Sequence, residues 1–141
     1  MLSNSNSILA LDVGGRRIGV AVANAVARIA RPVKTLENNG QFVHELQKCI
    51  AEYDAAVLVI GLPRGLDGQH TAQTSTVESF VETLQQRIPL PIHWQDEAVT
   101  SKKAEAELSQ RAGTYEKGDI DALAATYILE DFLHDHPEVR A

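Results

Sequence analysis

The chain has 141 residues, 44% hydrophobic and 23% charged, with a single cysteine, Cys49; this suits one globular domain and excludes an intrachain disulfide framework or a cysteine-built zinc site. A net charge of −6 argues against gripping nucleic acid by bulk electrostatics, yet residues 1–36 carry +4 and the remainder −10, which leaves room for a local anion-binding face. No apolar run approaches the roughly eighteen residues of a membrane span, and Met1 to Ser7 lacks the basic-then-apolar pattern of a targeting peptide, so a reducing cytoplasm is the expected compartment.

Residues 1–7 read as a frayed tail, 8–136 as a single domain and 137–141 as a second tail. Ile8 to Asp12 is a nearly unbroken apolar run ending in a carboxylate, the pattern of a central strand covered on both faces. Gly14 and Gly15 make a turn. Arg17 to Asn24 and Arg28 to Leu36 read as second and third strands joined by short antiparallel connections, with Pro32 placing the third at the sheet edge. The spacing of Phe42, Val43, Leu46, Cys49, Ile50 and Tyr53 predicts a helix with one apolar stripe. Ala56 to Ile60 is a further buried strand. A loop from Gly61 to His70 leads to a second helix, whose buried face is Val77, Phe80, Val81 and Leu84; Thr71, Thr74, Ser75 and Thr76 read as its solvated surface. Ile92 to Gln95 is a short last strand in which Trp94 reads as core. A charged helix over Ser101 to Arg111 and an alanine-rich one from Asp119 to His134 close the chain. The predicted fold is α/β: a mixed five-stranded sheet, order 3-2-1-4-5, with helices packed on it.

Three carboxylates fall where this architecture can gather them. Asp12 ends the first strand on the same face as Ile8 and Ala10; a carboxylate there is costly to bury unless it is paired or binds a metal. Glu97, after Asp96, ends the last strand at the edge where α/β folds bind ligands. Asp121 lies in the first turn of the closing helix, on the face of Ala124, Ala125 and Ile128. Hard cations such as Mg²⁺ or Mn²⁺ take oxygen ligands, commonly one or two carboxylates with water and phosphate oxygens. Paired ions can activate water and neutralise the leaving oxygen of a phosphodiester. Each acid also has a plainer reading. Asp12 can cap the glycine turn, Glu97 can pair with Lys102 or Lys103, and Asp121 can answer the helix dipole.

Arg16 and Arg17 flank the Asp12 turn, and Arg64 sits in the loop after the fourth strand; each is either a phosphate contact or an ordinary surface charge. The five histidines show no metal spacing. Cys49 reads as a buried apolar residue on the first helix.

Leu11-Asp12-Val13-Gly14-Gly15-Arg16-Arg17-Ile18-Gly19-Val20-Ala21-Val22, then Val59-Ile60-Gly61-Leu62-Pro63 with Asp67-Gly68, then Asp96-Glu97 with Thr100-Ser101, then Lys117-Gly118 with Asp121 and Ala124-Ala125, resembles the YqgF/RuvX family from Ile8 to about Phe132. The resemblance implies a ribonuclease H-like fold and a metal-dependent endonuclease that matures the 5′ end of 16S rRNA, or alternatively resolves Holliday junctions. It also implies metal ligation by Asp12, Glu97 and Asp121. Two positions depart from the family pattern: Ala98 stands where Arg usually follows the Asp-Glu pair, and Arg64-Gly65-Leu66 lacks the usual Asn before Asp-Gly. With Arg16, Arg17, Arg64, Lys102 and Lys103 as phosphate contacts, the expected partner is a ribosomal RNA precursor or a DNA junction. The expected state is a monomer or weak homodimer; a binding factor for ribosome assembly with little catalysis is the reading from another class.

Overall fold

The two most continuous apolar runs of the sequence become neighbouring parallel strands in the middle of a sheet. The structure is a computed structural model and describes residues 6–65, 67–97 and 117–140. β1 (Ser7–Val13), β2 (Arg17–Asn24), β3 (Ala30–Glu37), β4 (Ala55–Pro63) and β5 (Ile92–Glu97) form one five-stranded sheet in the order β3-β2-β1-β4-β5. The first three strands pair antiparallel. β1 with β4 and β4 with β5 pair parallel, which requires crossovers, supplied by α1 (Phe42–Tyr53) and α2 (Ala72–Gln85). The last helix, α3 (Lys117–Asp135), covers the opposite face. The helix expected over 101–111 lies outside the described residues, as do Ala98, Lys102 and Lys103. Among the described residues no helix is long and apolar enough to cross a membrane.

Period-two alternation sorts the strand residues onto two different surfaces. Leu9, Leu11, Val20, Val22, Leu58 and Ile60 point toward Leu46, Cys49, Val77, Val81 and Leu84 of α1 and α2. Ile8, Ala10, Ala21, Ala23, Val57 and Val59 point toward Ala125, Ile128, Leu129 and Phe132 of α3. Cys49 is buried, as its place on the apolar stripe predicts.

Several boundaries differ from the sequence reading. β1 already includes Ser7, which is buried. β3 starts at Ala30 rather than Arg28, because Arg28 takes a left-handed backbone conformation, φ 56°. Its guanidinium donates to the carbonyls of Leu133, His136 and Val139. That contact closes the C-terminal end of α3, and Val139 in the expected tail packs on the α3-side core. β4 continues through Gly61, Leu62 and Pro63, because they pair with Gln95, Asp96 and Glu97. Thr71 and Thr74 are not solvated surface: they form a reciprocal capping box at the start of α2, and Thr74 is fully buried with its hydroxyl donating to the Pro63 carbonyl at 2.5 Å. Trp94 is not core; it is 38% exposed, on the edge strand β5.

Candidate active site

The site is built where β1 ends and α3 begins. Asp12 pairs across the β1–β2 ladder with Gly19. Gly19 has no side chain on the face toward α3, and a Cβ there would collide with the backbone carbonyl of Asp121. The backbone of α3 at Asp121 and Ala122 therefore rests directly on β2, next to the strand position that carries Asp12. Buried Ala122, Ala124 and Ala125 extend the same close seat.

Burial pushes the Asp12 carboxyl up to about 6, and the charge of Asp121 adds to the rise. Both causes penalise the ionised form, so the structure holds Asp12 against a second acid in a poorly hydrated place. Arg17 supplies the positive charge nearby: its Nε donates to Asp121 Oδ2 at 2.6 Å. Gly14, Gly15, Arg16, Arg17 and Asp121 line a cleft of about 400 Å³.

The hairpin that carries Arg16 and Arg17 is held in place by its own backbone and by Asn38. The Gly14 amide donates to the Arg17 carbonyl at 2.9 Å, and the Asn38 amide donates to the Arg16 carbonyl at 2.8 Å. The Asn38 side chain donates to the Gly14 carbonyl at 2.8 Å. Asn38 is a positioning residue the sequence reading missed. Its only local signal is an asparagine in a polar turn, which says nothing of the hairpin it reaches.

Glu97 lies on the α3 side of the sheet by alternation with Gln95, whose amide donates to Asp135 Oδ2 of α3. It is two strands from Asp12, about 10 Å across the sheet, paired with Pro63 beyond the last β1–β4 pair at Leu11 and Ile60. Among the described residues no three acidic, histidine or cysteine side chains are grouped closely enough to hold an ion. The geometry thus brings Asp12 and Asp121 together and leaves Glu97 on the same face at a distance.

Arg64 is not directed into this cleft. Its Nε pairs with Asp96 Oδ1 at 3.4 Å and its amide donates to the Glu97 carbonyl at 3.1 Å, tying the end of β4 to the end of β5. Arg16 is exposed at the hairpin tip.

The donor set suits a hard divalent cation. Two neighbouring carboxylates, of which Asp121 borders the open cleft, match the one or two protein ligands that Mg²⁺ takes, the rest of its shell being water and phosphate oxygen. Asp12, pushed up by burial and then by the charge of Asp121, gains from an added cation.

Comparison with known proteins places the chain in a family. A family model described as "RuvX: Holliday junction resolvase" matches residues 6–135. A protein of Rippkaea orientalis named "Putative pre-16S rRNA nuclease" is 38% identical over 131 residues, covering 90% of this chain and 94% of that one. One of the same name from Paraburkholderia phymatum is 41% identical over 129 residues, covering 90% and 84%. Among solved structures, Thermus thermophilus RuvC superposes with a TM-score of 0.52 at 11% identity, covering 95% of this chain and 98% of that one. The fowlpox virus Holliday junction resolvase gives 0.53 at 9% identity, covering 92% and 98%. At such identities the structural likeness is one of fold, and that fold is ribonuclease H-like. The family model runs through the hairpin of Asp12, the strand of Glu97 and the helix of Asp121 alike, and with sequence relatives of 38% and 41% identity over 90% of its length the chain belongs to the RuvX family.

Proposed function

We propose that this protein is a divalent-metal-dependent endonuclease that hydrolyses phosphodiester bonds in structured RNA, with the 5′ region of a 16S rRNA precursor as its substrate. The observation that carries the reading is the pairing of Asp12 with Asp121 beside an open, arginine-lined cleft. Relatives named for pre-16S rRNA nuclease activity at 38% and 41% identity favour RNA as the substrate.

Asp12 and Asp121 are the residues to hold Mg²⁺ or Mn²⁺, with Glu97 as the third acid. Such an ion supplies an activated water and charge neutralisation at the leaving oxygen. Arg16 and Arg17 bind the phosphates flanking the scissile bond. Arg64 keeps the ends of β4 and β5 together and thereby fixes the direction of Glu97; Lys102 and Lys103 add positive charge after β5.

The test is cleavage of a 5′-extended 16S precursor with Mg²⁺ or Mn²⁺, beside a four-way DNA junction. The wild type is expected to cut the precursor, and Asp12→Asn to lose about 10³-fold in rate, the several kcal/mol of charge stabilisation an ion site provides. Equal rates in both proteins would remove Asp12 from the mechanism. Cleavage of the junction alone would instead favour a resolvase, the activity named for the fowlpox structure, the Holliday junction being the substrate named for T. thermophilus RuvC; two symmetric incisions would then call for a homodimer. Full complementation of a deletion by an Asp12→Asn, Asp121→Asn double variant would favour an assembly factor that binds without cutting.

A further inference from the structure

We propose that Arg17 is a built-in competitor for the cation site: its guanidinium occupies Asp121 until a divalent ion displaces it, and so sets the affinity of the site for metal. This rests on the reading of Asp12 and Asp121 as ion-holding acids.

The Arg17 Nε lies 2.6 Å from Asp121 Oδ2, with the arginine side chain 38% exposed and the aspartate 21% exposed. An ion bound by that oxygen would meet a positive group at contact distance, and two like charges so close repel strongly in a partly dehydrated cleft. One of the three partners must give way. The main chain of Asp121 is fixed, because α3 rests on the bare face of Gly19. That of Arg17 is fixed as well, by the Gly14 amide on its carbonyl and by its pairing with Glu37 of β3. What is free to move is the arginine side chain, which is long and half-exposed. It borders the same cleft of about 400 Å³ as Arg16, so it has a place to go. Metal binding is then an exchange of one cation for another at Asp121 rather than the filling of a bare carboxylate pair. Once displaced, the guanidinium stands beside Arg16, where the fork of donors suits a phosphate.

The exchange separates two roles that a simple structural salt bridge would join. A bridge that merely held α3 in place would, when broken, loosen the site and weaken metal binding. A competitor would, when removed, strengthen it.

The experiment is calorimetric titration of Mn²⁺ into wild type, Arg17→Gln and Arg17→Lys, with thermal melts of each in EDTA and in saturating Mn²⁺. Arg17→Gln is expected to bind Mn²⁺ about tenfold more tightly than wild type, the scale of one unit charge removed from a partly screened site. It should melt lower than wild type in EDTA, where Asp12 and Asp121 face each other uncompensated, and gain more from Mn²⁺. Arg17→Lys keeps the charge and is expected to stay within about threefold of wild type. Equal or weaker Mn²⁺ binding by Arg17→Gln, with wild type binding measurably, would overturn the competitor role and leave the metal site standing. No Mn²⁺ binding by any of the three proteins would overturn both.

Discussion

The two faces of the sheet are built from different materials. Toward α1 and α2 the strands present Leu9, Leu11, Ile18, Val20, Leu58 and Ile60, and among the described residues no charged one is buried in that core. Toward α3 they present the small Ala10, Gly19, Ala21 and Ala23 as well as Ile8, Val57 and Val59, met by Ala125, Ile128, Leu129 and Phe132 of the helix. Large branched side chains fill volume and hold two layers about 10 Å apart. Small ones let a helix backbone touch a strand. Both faces bury large side chains, but the second gives up apolar volume around Gly19, so that Asp121 can be set down next to Asp12. That division can be attacked from either side.

Among changes to the seat of α3, the most damaging is expected at Gly19. An added methyl falls on the Asp121 carbonyl and the Ala122 amide, which are backbone atoms that cannot rotate aside. α3 has to lift. Gly19→Ala should cost about 1–3 kcal/mol of stability through overpacking and on the order of 10² in cleavage rate, because a displacement of about 1 Å at the reacting groups is enough for that. Melting curves and the precursor assay check the two effects together; a fully active Gly19→Ala would mean the seat of α3 on β2 does not set the site.

Leu58→Ala is the counterpart on the other face. Leu58 is wholly buried in the α1 and α2 core, and truncation should cost about 2–5 kcal/mol. Cleavage per folded molecule should stay near that of wild type. Urea unfolding with the active fraction titrated separates the terms, and a rate loss comparable to that of Gly19→Ala would show the two faces to be coupled rather than divided.

Most of this division is legible in the sequence, because strands and packing faces follow local periodicity. Alternation puts Asp12 with Ile8 and Ala10, and helical spacing puts Asp121 with Ala124, Ala125 and Ile128, so the two acids can be matched without coordinates. Local pattern fails where a residue acts across the fold. Arg28 looks like the start of a strand and instead holds three carbonyls more than a hundred positions later. Arg17 looks like an exposed hairpin charge, yet its partner is 104 residues away. Thr71 and Thr74 were legible in principle, since a threonine pair three apart before an apolar stripe is a capping pattern. Glu97 shows the other limit: its strand and face can be read, but how far a side chain two strands away reaches depends on register and twist.

The two faces should also differ in their response to pH, because among the described residues the carboxylate that burial pushes up, Asp12, lies on the α3 side. Asp12 titrates near 6 when folded against an ordinary value of 3.8. Between about pH 4 and pH 6 the folded protein keeps a proton that the unfolded chain has released. Stability therefore falls as pH rises through that window and levels off above it, by at most about 3 kcal/mol. Asp12→Asn removes the group. In EDTA it should unfold at higher urea than wild type at pH 7.5, converge with it near pH 4, and still be the least active variant. Parallel pH profiles for the two proteins would sink this account of the Asp12 environment.

The smallest effect is expected at Gly61, and it sharpens what makes Gly19 special. Gly61 also lies on β4 under α3, and a Cβ there would also be too close to the helix, but the atom it meets is Ile128 Cδ1, the end of a flexible side chain. Ile128 can change rotamer at modest cost. The added methyl also restricts the unfolded chain, which offsets part of that cost. Gly61→Ala should thus lose about 1 kcal/mol or less and reduce cleavage far less than Gly19→Ala, measured in the same melts and the same assay. Both glycines sit beneath the same helix and both are too crowded for a side chain, so the size of the gap between the two variants reports one thing only. It says whether the site depends on where the backbone of α3 rests or merely on how tightly its side chains pack. If Gly61→Ala proved as harmful as Gly19→Ala, tight packing across the whole α3 face, and not the contact under Asp121, would be what brings the two carboxylates together.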